Sequence, residues 1–191
     1  MRRRLVAIIG LFLAACFGPM PNPVPTPSFV PLPGTPERGL SCANPDAGYR
    51  LTYPSDWWAH PADVSRGIGP CSYFGPEPFE LVRNPDEGRL VGESARVQVM
   101  TVCGVGYSYG TEFSVQEDVL VGGFPAKRVR VRDAFIGDYY QYVVNLRPGV
   151  SEEDCVEGGR FAILVTYEMY AADYAAGRDA MDLMATTIAF N

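Results

Sequence analysis

The first 39 residues of this chain do not suit a packed domain, and they confine the fold to the residues that follow. Three arginines at positions 2–4 precede an apolar run at residues 5–15, which is too short for the roughly 20 residues that cross a bilayer. Residues 17–39 hold eight of the 17 prolines, a composition that favours extended polyproline II over a core. Residues 40–191 remain, and their length fits one domain.

The apolar run ends in the sequence Leu13-Ala14-Ala15-Cys16. A basic start, a short apolar stretch and small residues before a cut are typical of a secretory signal peptide. These four residues also resemble the lipobox of bacterial lipoproteins, whose cysteine carries diacylglycerol and becomes the acylated amino terminus after cleavage. The resemblance implies a signal peptide at residues 1–15, lipidation of Cys16 and an extracytoplasmic protein anchored to the bacterial cell membrane. An ordinary signal peptide with a chance cysteine is the alternative.

Residues 16–39 are predicted to be the lipidated cysteine and a disordered tether, which reaches roughly 70 Å at about 3.1 Å per residue. Removal of residues 1–15 takes away three arginines and no acids, so 13 basic residues face 22 acidic ones and the formal charge becomes −9. Such a chain is not expected to bind nucleic acid, whose phosphates need a basic surface. The membrane is therefore expected as a partner through the lipid anchor alone.

Four cysteines remain once Cys16 is set aside, and they suit two disulfides in an oxidising compartment. Four cysteines allow three pairings. Cys42 precedes the first predicted strand and Cys71 follows it, whereas Cys103 ends a strand and Cys155 lies in the loop before the last long strand. We predict the pairs Cys42–Cys71 and Cys103–Cys155.

Alternating apolar and polar residues predict a chain made mostly of strands. The predicted strands are residues 48–53, 94–102, 113–121, 125–132, 139–146 and 160–168, with a helix at 177–187 and a short strand at 188–190. Strands followed by one helix favour an α+β fold over alternating βαβ units. We predict a mostly antiparallel sheet of about five to seven strands with a C-terminal helix packed on it.

The strands at 113–121 and 125–132 read as a hairpin around the residues Gly-Gly-Phe. A three-residue loop would place Val121 opposite Pro125 and Asp118 opposite Arg128, which pairs opposite charges. A two-residue loop would shift the pairing by one and set Val115 opposite Arg130. We predict the three-residue loop.

Three segments resemble PsbP-like domains. They are GYRLTYPSDW at 48–57, VGGFPA at 121–126 and DLMATTIAF at 182–190, near the start, middle and end of the domain. The resemblance implies an antiparallel sheet with helices on one or both faces over residues 40–191. This sequence lacks the helical pattern that the family carries before its central hairpin, and no residue of a photosystem role matches.

Residues suited to catalysis are few. Any Ser-His-Asp triad would have to use His60, the single histidine, which lies beside Pro61. Glu77 and Glu80 could form a glycosidase pair, but nothing in the sequence orients them. We predict no catalytic residues and no cofactor.

Metal ligands are equally few. No Cys-x-x-Cys pair is present, so a cysteine-bound zinc is not predicted. Four acids, Glu152, Glu153, Asp154 and Glu157, are either a solvated loop or a calcium site without the EF-hand spacing. We predict no metal site and keep calcium as the alternative for this loop.

Aromatic and basic side chains are the remaining candidates for a ligand or partner surface. The predicted surface consists of Trp57, Trp58, Tyr140, Tyr142, Arg128, Arg130 and Arg132. Tyr107, Tyr109 and Tyr139 are further aromatics of the same kind. Core packing is the alternative for the aromatics, and pairing with Asp118 and neighbouring acids is the alternative for the arginines.

These patterns together favour a membrane-anchored, non-catalytic binding or accessory domain of the cell envelope. Its partner would be an envelope protein, a glycan or a lipid. An envelope hydrolase or carbohydrate-active enzyme is the alternative, and a passive structural lipoprotein is a third interpretation.

Overall fold

A computed structural model describes residues 40–83, 90–91, 97–104, 114–133, 137–151, 153–155, 159–167 and 174–191. Cys16 and the predicted tether lie outside the described residues, so lipidation stays a prediction. Tyr107, Tyr109, Glu152 and Glu157 also lie outside them.

Strands dominate the described part of the chain, and one α-helix follows near its end. In chain order the elements are β1 Leu40–Asn44, β2 Tyr49–Tyr53, β3 Trp58–Ala59, a short 3-10 helix Val64–Arg66, β4 Tyr73–Gly75, β5 Val82–Arg83, β6 Leu90–Val91, β7 Val97–Val102, β8 Ser114–Val121, β9 Phe124–Asp133, β10 Gly137–Asn145, β11 Phe161–Tyr167, α1 Tyr174–Thr187 and β12 Ala189–Phe190. Within these residues no helix is long and apolar enough to span a membrane.

The strands form more than the one sheet that the sequence suggests. Seven strands make a sheet in the order β3-β4-β7-β11-β10-β9-β8, with antiparallel neighbours throughout. A separate sheet has the order β1-β2-β12, and β5 pairs with β6. The prediction of a mostly antiparallel fold with a C-terminal helix is confirmed. The larger sheet has seven strands, which is within the predicted range of five to seven. It is not the only sheet, because β2 pairs with β1 and β12 instead of joining it.

The core lies between the seven-stranded sheet and α1. Met181 and Met184 of the helix are fully buried, and they belong to the same cluster as Leu164, Val99 and Tyr142 of the sheet. Burial of each large apolar side chain stabilises the fold by roughly 1.5–3 kcal/mol. A second buried cluster lies on the opposite face of the sheet, and its members are Val129, Val131, Tyr139, Ile163 and Val165.

The hairpin of β8 and β9 has a two-residue turn, so the predicted three-residue loop is wrong. Val121 pairs with Phe124, and Val115 pairs with Arg130. Gly122 and Gly123 both have positive φ, at 58° and 85°, which a two-residue type I′ turn requires. Phe124 belongs to β9 rather than to the loop, and its ring meets that of Phe190 edge-on at 5.6 Å.

Both predicted cysteine pairs lie at disulfide distance. The Cα atoms of Cys42 and Cys71 are 6.1 Å apart, and this bridge joins the three-stranded sheet to the segment before β4. The Cα atoms of Cys103 and Cys155 are 5.6 Å apart, so the second bridge joins the end of β7 to the loop between β10 and β11.

Candidate functional site

The predicted aromatic surface is not an open face, which corrects that prediction. Trp57, Tyr140 and Tyr142 are 7%, 6% and 0% exposed, and all three belong to the main core. Only Trp58 is open to solvent, at 55%. The cause is the position of α1, because the helix packs on the sheet face to which Tyr140 and Tyr142 point.

The two tyrosines serve instead in a polar contact between sheet and helix. The hydroxyls of Tyr140 and Tyr142 each donate a hydrogen bond of 2.8 Å to Oδ1 of Asp182 on α1. Their own oxygens lie 3.3 Å apart. Since each phenol has a single proton, both protons are used by the carboxylate, and Asp182 satisfies two hydroxyls at once.

This environment favours the neutral phenols. Burial is the main reason that the pKa of Tyr142 is raised, and the nearby Tyr140 and Asp182 raise it further. Burial, opposed by the hydrogen bond with Tyr142 and assisted by the charge of Asp182, raises the pKa of Tyr140 to about 12. A phenolate nucleophile at neutral pH is therefore disfavoured here, and the cluster is suited to holding the helix on the sheet.

The three predicted arginines lie on one face of β9, and two of them have acidic partners. Arg128 Nε donates to Glu117 at 2.6 Å, and Arg132 Nε lies 3.2 Å from Asp138. Burial is the largest single influence on Arg128 and lowers its pKa, but the hydrogen bonds with Glu117 and Tyr142 and the nearby Tyr140 together outweigh it, so the pKa of the guanidinium is raised.

Asp118, the predicted partner of the arginine stripe, pairs with Lys127 instead, at 2.5 Å. The corrected hairpin register causes this exchange, because Glu117 rather than Asp118 faces Arg128. Arg130 is exposed and has no ion pair within the described residues. The stripe is therefore largely neutralised by its own neighbours.

The other sequence candidates do not come together. His60 Nδ1 lies 2.7 Å from the carbonyl of Pro61, and its ring contacts Phe79. Glu77 and Glu80 are exposed. Asp154, in the predicted acidic loop, is bonded to Ser151 at 2.6 Å. Among the described residues, no group of three histidine, cysteine, aspartate or glutamate side chains could hold a metal ion.

A cavity of about 440 Å³ lies beside the three-stranded sheet, and the sequence did not point to it. Its wall is formed by the turn after β1, the 3-10 helix, the start of β4 and the middle of β7. β4 has three residues and pairs with β7 only at Val97 and Gln98, with one more bond from Val99 N to the carbonyl of Ser72 at 2.8 Å. The cavity lies beside the part of β7 that extends beyond its pairing with β4.

The inner wall of the cavity is a buried hydrogen-bonded network. The amide of Asn44, only 3% exposed, accepts from Ala47 N at 3.0 Å and donates to the Tyr49 hydroxyl at 3.5 Å. The Tyr49 hydroxyl donates to the carbonyl of Cys71 at 2.9 Å. Burial raises the pKa of Tyr49, although hydrogen bonds with Asn44 and Ser72 oppose the shift. The wall is therefore neutral and held in place before any ligand arrives.

Gly69 keeps this wall open. A Cβ atom at this position would lie 2.8 Å from Nδ2 of Asn44 and 3.4 Å from Oγ of Ser72. Any other residue would fill the space between these two polar groups or displace them. The glycine is thus needed for room in the cavity.

The polar groups of the cavity carry little charge. Among the described residues that line it, Asp46 is the one acid and there is no lysine, arginine or histidine. Arg66, on the neighbouring 3-10 helix, is committed to the carbonyl of Leu81 at 2.8 Å and to Asp63 at 3.3 Å. The site can therefore offer hydrogen bonds to an uncharged or cationic molecule, whereas an anion would meet no positively charged side chain among the described lining residues.

Comparisons of the chain with protein-family models, with curated proteins and with solved structures find no match.

Proposed function

We propose that this protein is a lipid-anchored, extracytoplasmic binding or accessory protein of the bacterial cell envelope, without a catalytic role. Its folded part, residues 40–191, is proposed to be a PsbP-like domain with a single C-terminal helix layer. Cys16 would carry the lipid and residues 17–39 would act as the tether.

The cavity beside β7 is the observation that carries the binding role. It is preformed, because Asn44, Tyr49 and Cys71 are fixed by hydrogen bonds to one another. Its volume of about 440 Å³ falls in the roughly 300–1,000 Å³ range of small-molecule sites. A passive structural protein has no need of such a space, and Gly69 keeps it open at the place where a side chain would fill it.

The location outside the cytoplasm rests on separate support. Two cysteine pairs at bonding distance suit a compartment that oxidises thiols. The sequence that ends in Cys16 supplies the export signal and the fifth cysteine.

Mass spectrometry of the protein extracted from bacterial membranes tests the anchor. We expect an amino-terminal peptide that begins at Cys16 and carries diacylglycerol and an acyl chain, and we expect the Cys16→Ser variant to lack both and to leave the membrane fraction. A cut at another position, or an unmodified Cys16, would overturn the anchor.

In-cell photo-crosslinking tests the binding role. A photoreactive phenylalanine analogue replaces Val64 at the cavity rim, where the side chain is 92% exposed, and in a matched strain it replaces Val115 on β8, which is 64% exposed. A discrete adduct from position 64 that position 115 does not give is the expected result. Equal adducts from both sites, or none from either, would contradict a binding role for the cavity.

A further inference from the structure

The backbone of β7 adds hydrogen-bonding groups to the cavity. Val99 N bonds to the carbonyl of Ser72, so the backbone groups of Val99 point toward β4. Backbone groups of residues two apart point to the same side of a strand. The N–H and C=O of Thr101 therefore point to the side of β7 that lies before the first residue of β4, and Thr101 lines the cavity.

Donors and acceptors thus alternate around one small space. Thr101 presents a backbone donor and an acceptor. Ser72 presents a hydroxyl that also bonds to Tyr49, and Gln98 an amide whose nitrogen is already bonded to Tyr73 at 2.9 Å. Asp46, at the turn after β1, presents carboxylate oxygens from an exposed position. A ligand that satisfies these groups must itself carry several donors and acceptors close together.

Apolar surface lies next to these polar groups. Val64 is 92% exposed and Met100 is half-buried, and both line the cavity. Small-molecule sites combine an apolar lining with a few placed polar groups that fix orientation. Hydroxyl groups around the edge of a ring with C–H groups on its face match this mixture of surfaces.

We propose that the cavity between the turn after β1, the 3-10 helix and the open edge of β7 binds an uncharged, hydroxyl-rich ligand, a short saccharide. This inference rests on the binding role proposed above and names the class of ligand. Anionic ligands are disfavoured, because the described lining residues include no basic side chain and one acid, Asp46. A cationic ligand would depend on the charge of Asp46, whereas a neutral sugar needs only its hydrogen-bonding oxygen.

Saturation-transfer NMR on the full chain, purified from membranes in a detergent without a sugar head group, tests this assignment. The probes are glucose, galactose, mannose and N-acetylglucosamine, with choline as the cation and methyl phosphate, whose methyl protons can be observed, as the anion. We expect transfer to at least one of the neutral sugars and none to methyl phosphate.

Three variants locate the binding. Val64→Trp covers the mouth of the cavity from an exposed position that packs against nothing, and it should abolish the transfer. Val115→Trp makes the same change on β8, away from the cavity, and should leave the transfer unchanged. Asp46→Asn keeps an acceptor oxygen. It should weaken sugar binding by less than about tenfold, because the loss of one neutral hydrogen bond changes the affinity by no more than that.

The results that would contradict the saccharide assignment can be told apart from one another. Absence of transfer to every neutral sugar, or transfer that survives Val64→Trp, would overturn the saccharide assignment. Binding of choline that Asp46→Asn reduces by about tenfold or more, without sugar binding, would replace it with a cationic ligand. None of these results touches the anchor at Cys16, and an adduct at position 64 would still support a binding role for another class of partner.

Discussion

The hydroxyl of Tyr142 on β10 donates a hydrogen bond of 2.8 Å to Oδ1 of Asp182 on α1, across 40 residues of sequence. The same oxygen accepts the hydroxyl of Tyr140. One carboxylate therefore accepts the protons of two buried phenols, and it ties the only α-helix of the described residues to the sheet.

Replacement of Asp182 by alanine should lower the free energy of unfolding by about 2–4 kcal/mol, because two buried hydroxyls lose their acceptor. Asp182→Asn keeps an amide oxygen and should cost roughly half as much. Urea denaturation measures both. Asp179→Ala, at an exposed position on the same helix, is the matched control and should change stability by less than about 0.5 kcal/mol. An Asp182→Ala protein as stable as that control would show that the hydroxyls find other partners.

The raised phenol pKa values predict a loss of stability in alkali. The pKa of Tyr140 is about 12 in the folded protein against 10.0 for an ordinary tyrosine, so the unfolded chain binds fewer protons between these values. The contribution of the neutral Tyr140 phenol to the free energy of unfolding should be fully present below about pH 10, and it should be lost as the pH rises toward 12. Phenolate absorbance and circular dichroism followed together over this range measure the effect. A double variant, Tyr140→Phe and Tyr142→Phe, should remove this part of the pH dependence, and an unchanged profile would contradict the assignment.

The glycines of the β8–β9 turn should differ in their tolerance of alanine. Both have positive φ, but a Cβ at Gly122 would lie 2.9 Å from the carbonyl oxygen of Ile188, whereas a Cβ at Gly123 meets nothing within 4 Å. Gly123→Ala should cost about 1 kcal/mol from backbone strain alone, and Gly122→Ala should cost about 1–3 kcal/mol more. Thermal or urea unfolding measures the difference. Equal losses would mean that the turn does not pack against the C-terminal segment.

Removal of the Cys42–Cys71 bridge should destabilise the domain by about 3–4 kcal/mol, because the bridge closes a loop of 29 residues. Cys71 has a positive φ of 58°, which glycine adopts more easily than serine. The pair Cys42→Ser with Cys71→Gly should therefore be about 1 kcal/mol more stable than Cys42→Ser with Cys71→Ser. Urea denaturation compares the two proteins, and the opposite order would contradict this backbone conformation.

The sequence predicts the long strands well, since each is long enough to show either an alternating pattern or a run rich in aromatic and β-branched residues. The predicted ranges 139–146 and 160–168 correspond to Gly137–Asn145 and Phe161–Tyr167. It does not predict that β1, β2 and β12 form a sheet of their own, because β12 has two residues and its pairing with β2 depends on where α1 ends. The hairpin register failed for a local reason. Both registers pair opposite charges, so charge does not distinguish them. The Gly-Gly pair is the better signal, because a two-residue type I′ turn needs positive φ at both of its residues.

The candidate site could not be predicted from the sequence, for a different reason. The period of β10 correctly places Tyr140 and Tyr142 on one face, but it cannot say that α1 covers that face or that Asp182 is their acceptor. The cavity depends on the early start and end of a three-residue strand, β4, and such short strands carry no period. The turn residues Asn44 and Asp46 were a visible signal only of a turn.

The pairing of β2 with β12 is expected to form late in the folding of the domain. Thr187 Oγ1 accepts a hydrogen bond from Thr52 N at 3.0 Å, a contact between residues 135 positions apart. Contacts of such long range form late, because the entropy of closing the intervening chain must be overcome first. We therefore expect the strand at residues 49–53 to stay paired on one side only until residues 189–190 reach it during folding. During that interval the Cys42–Cys71 bridge spans only 29 residues, and it can restrain the waiting strand before the sheet is complete.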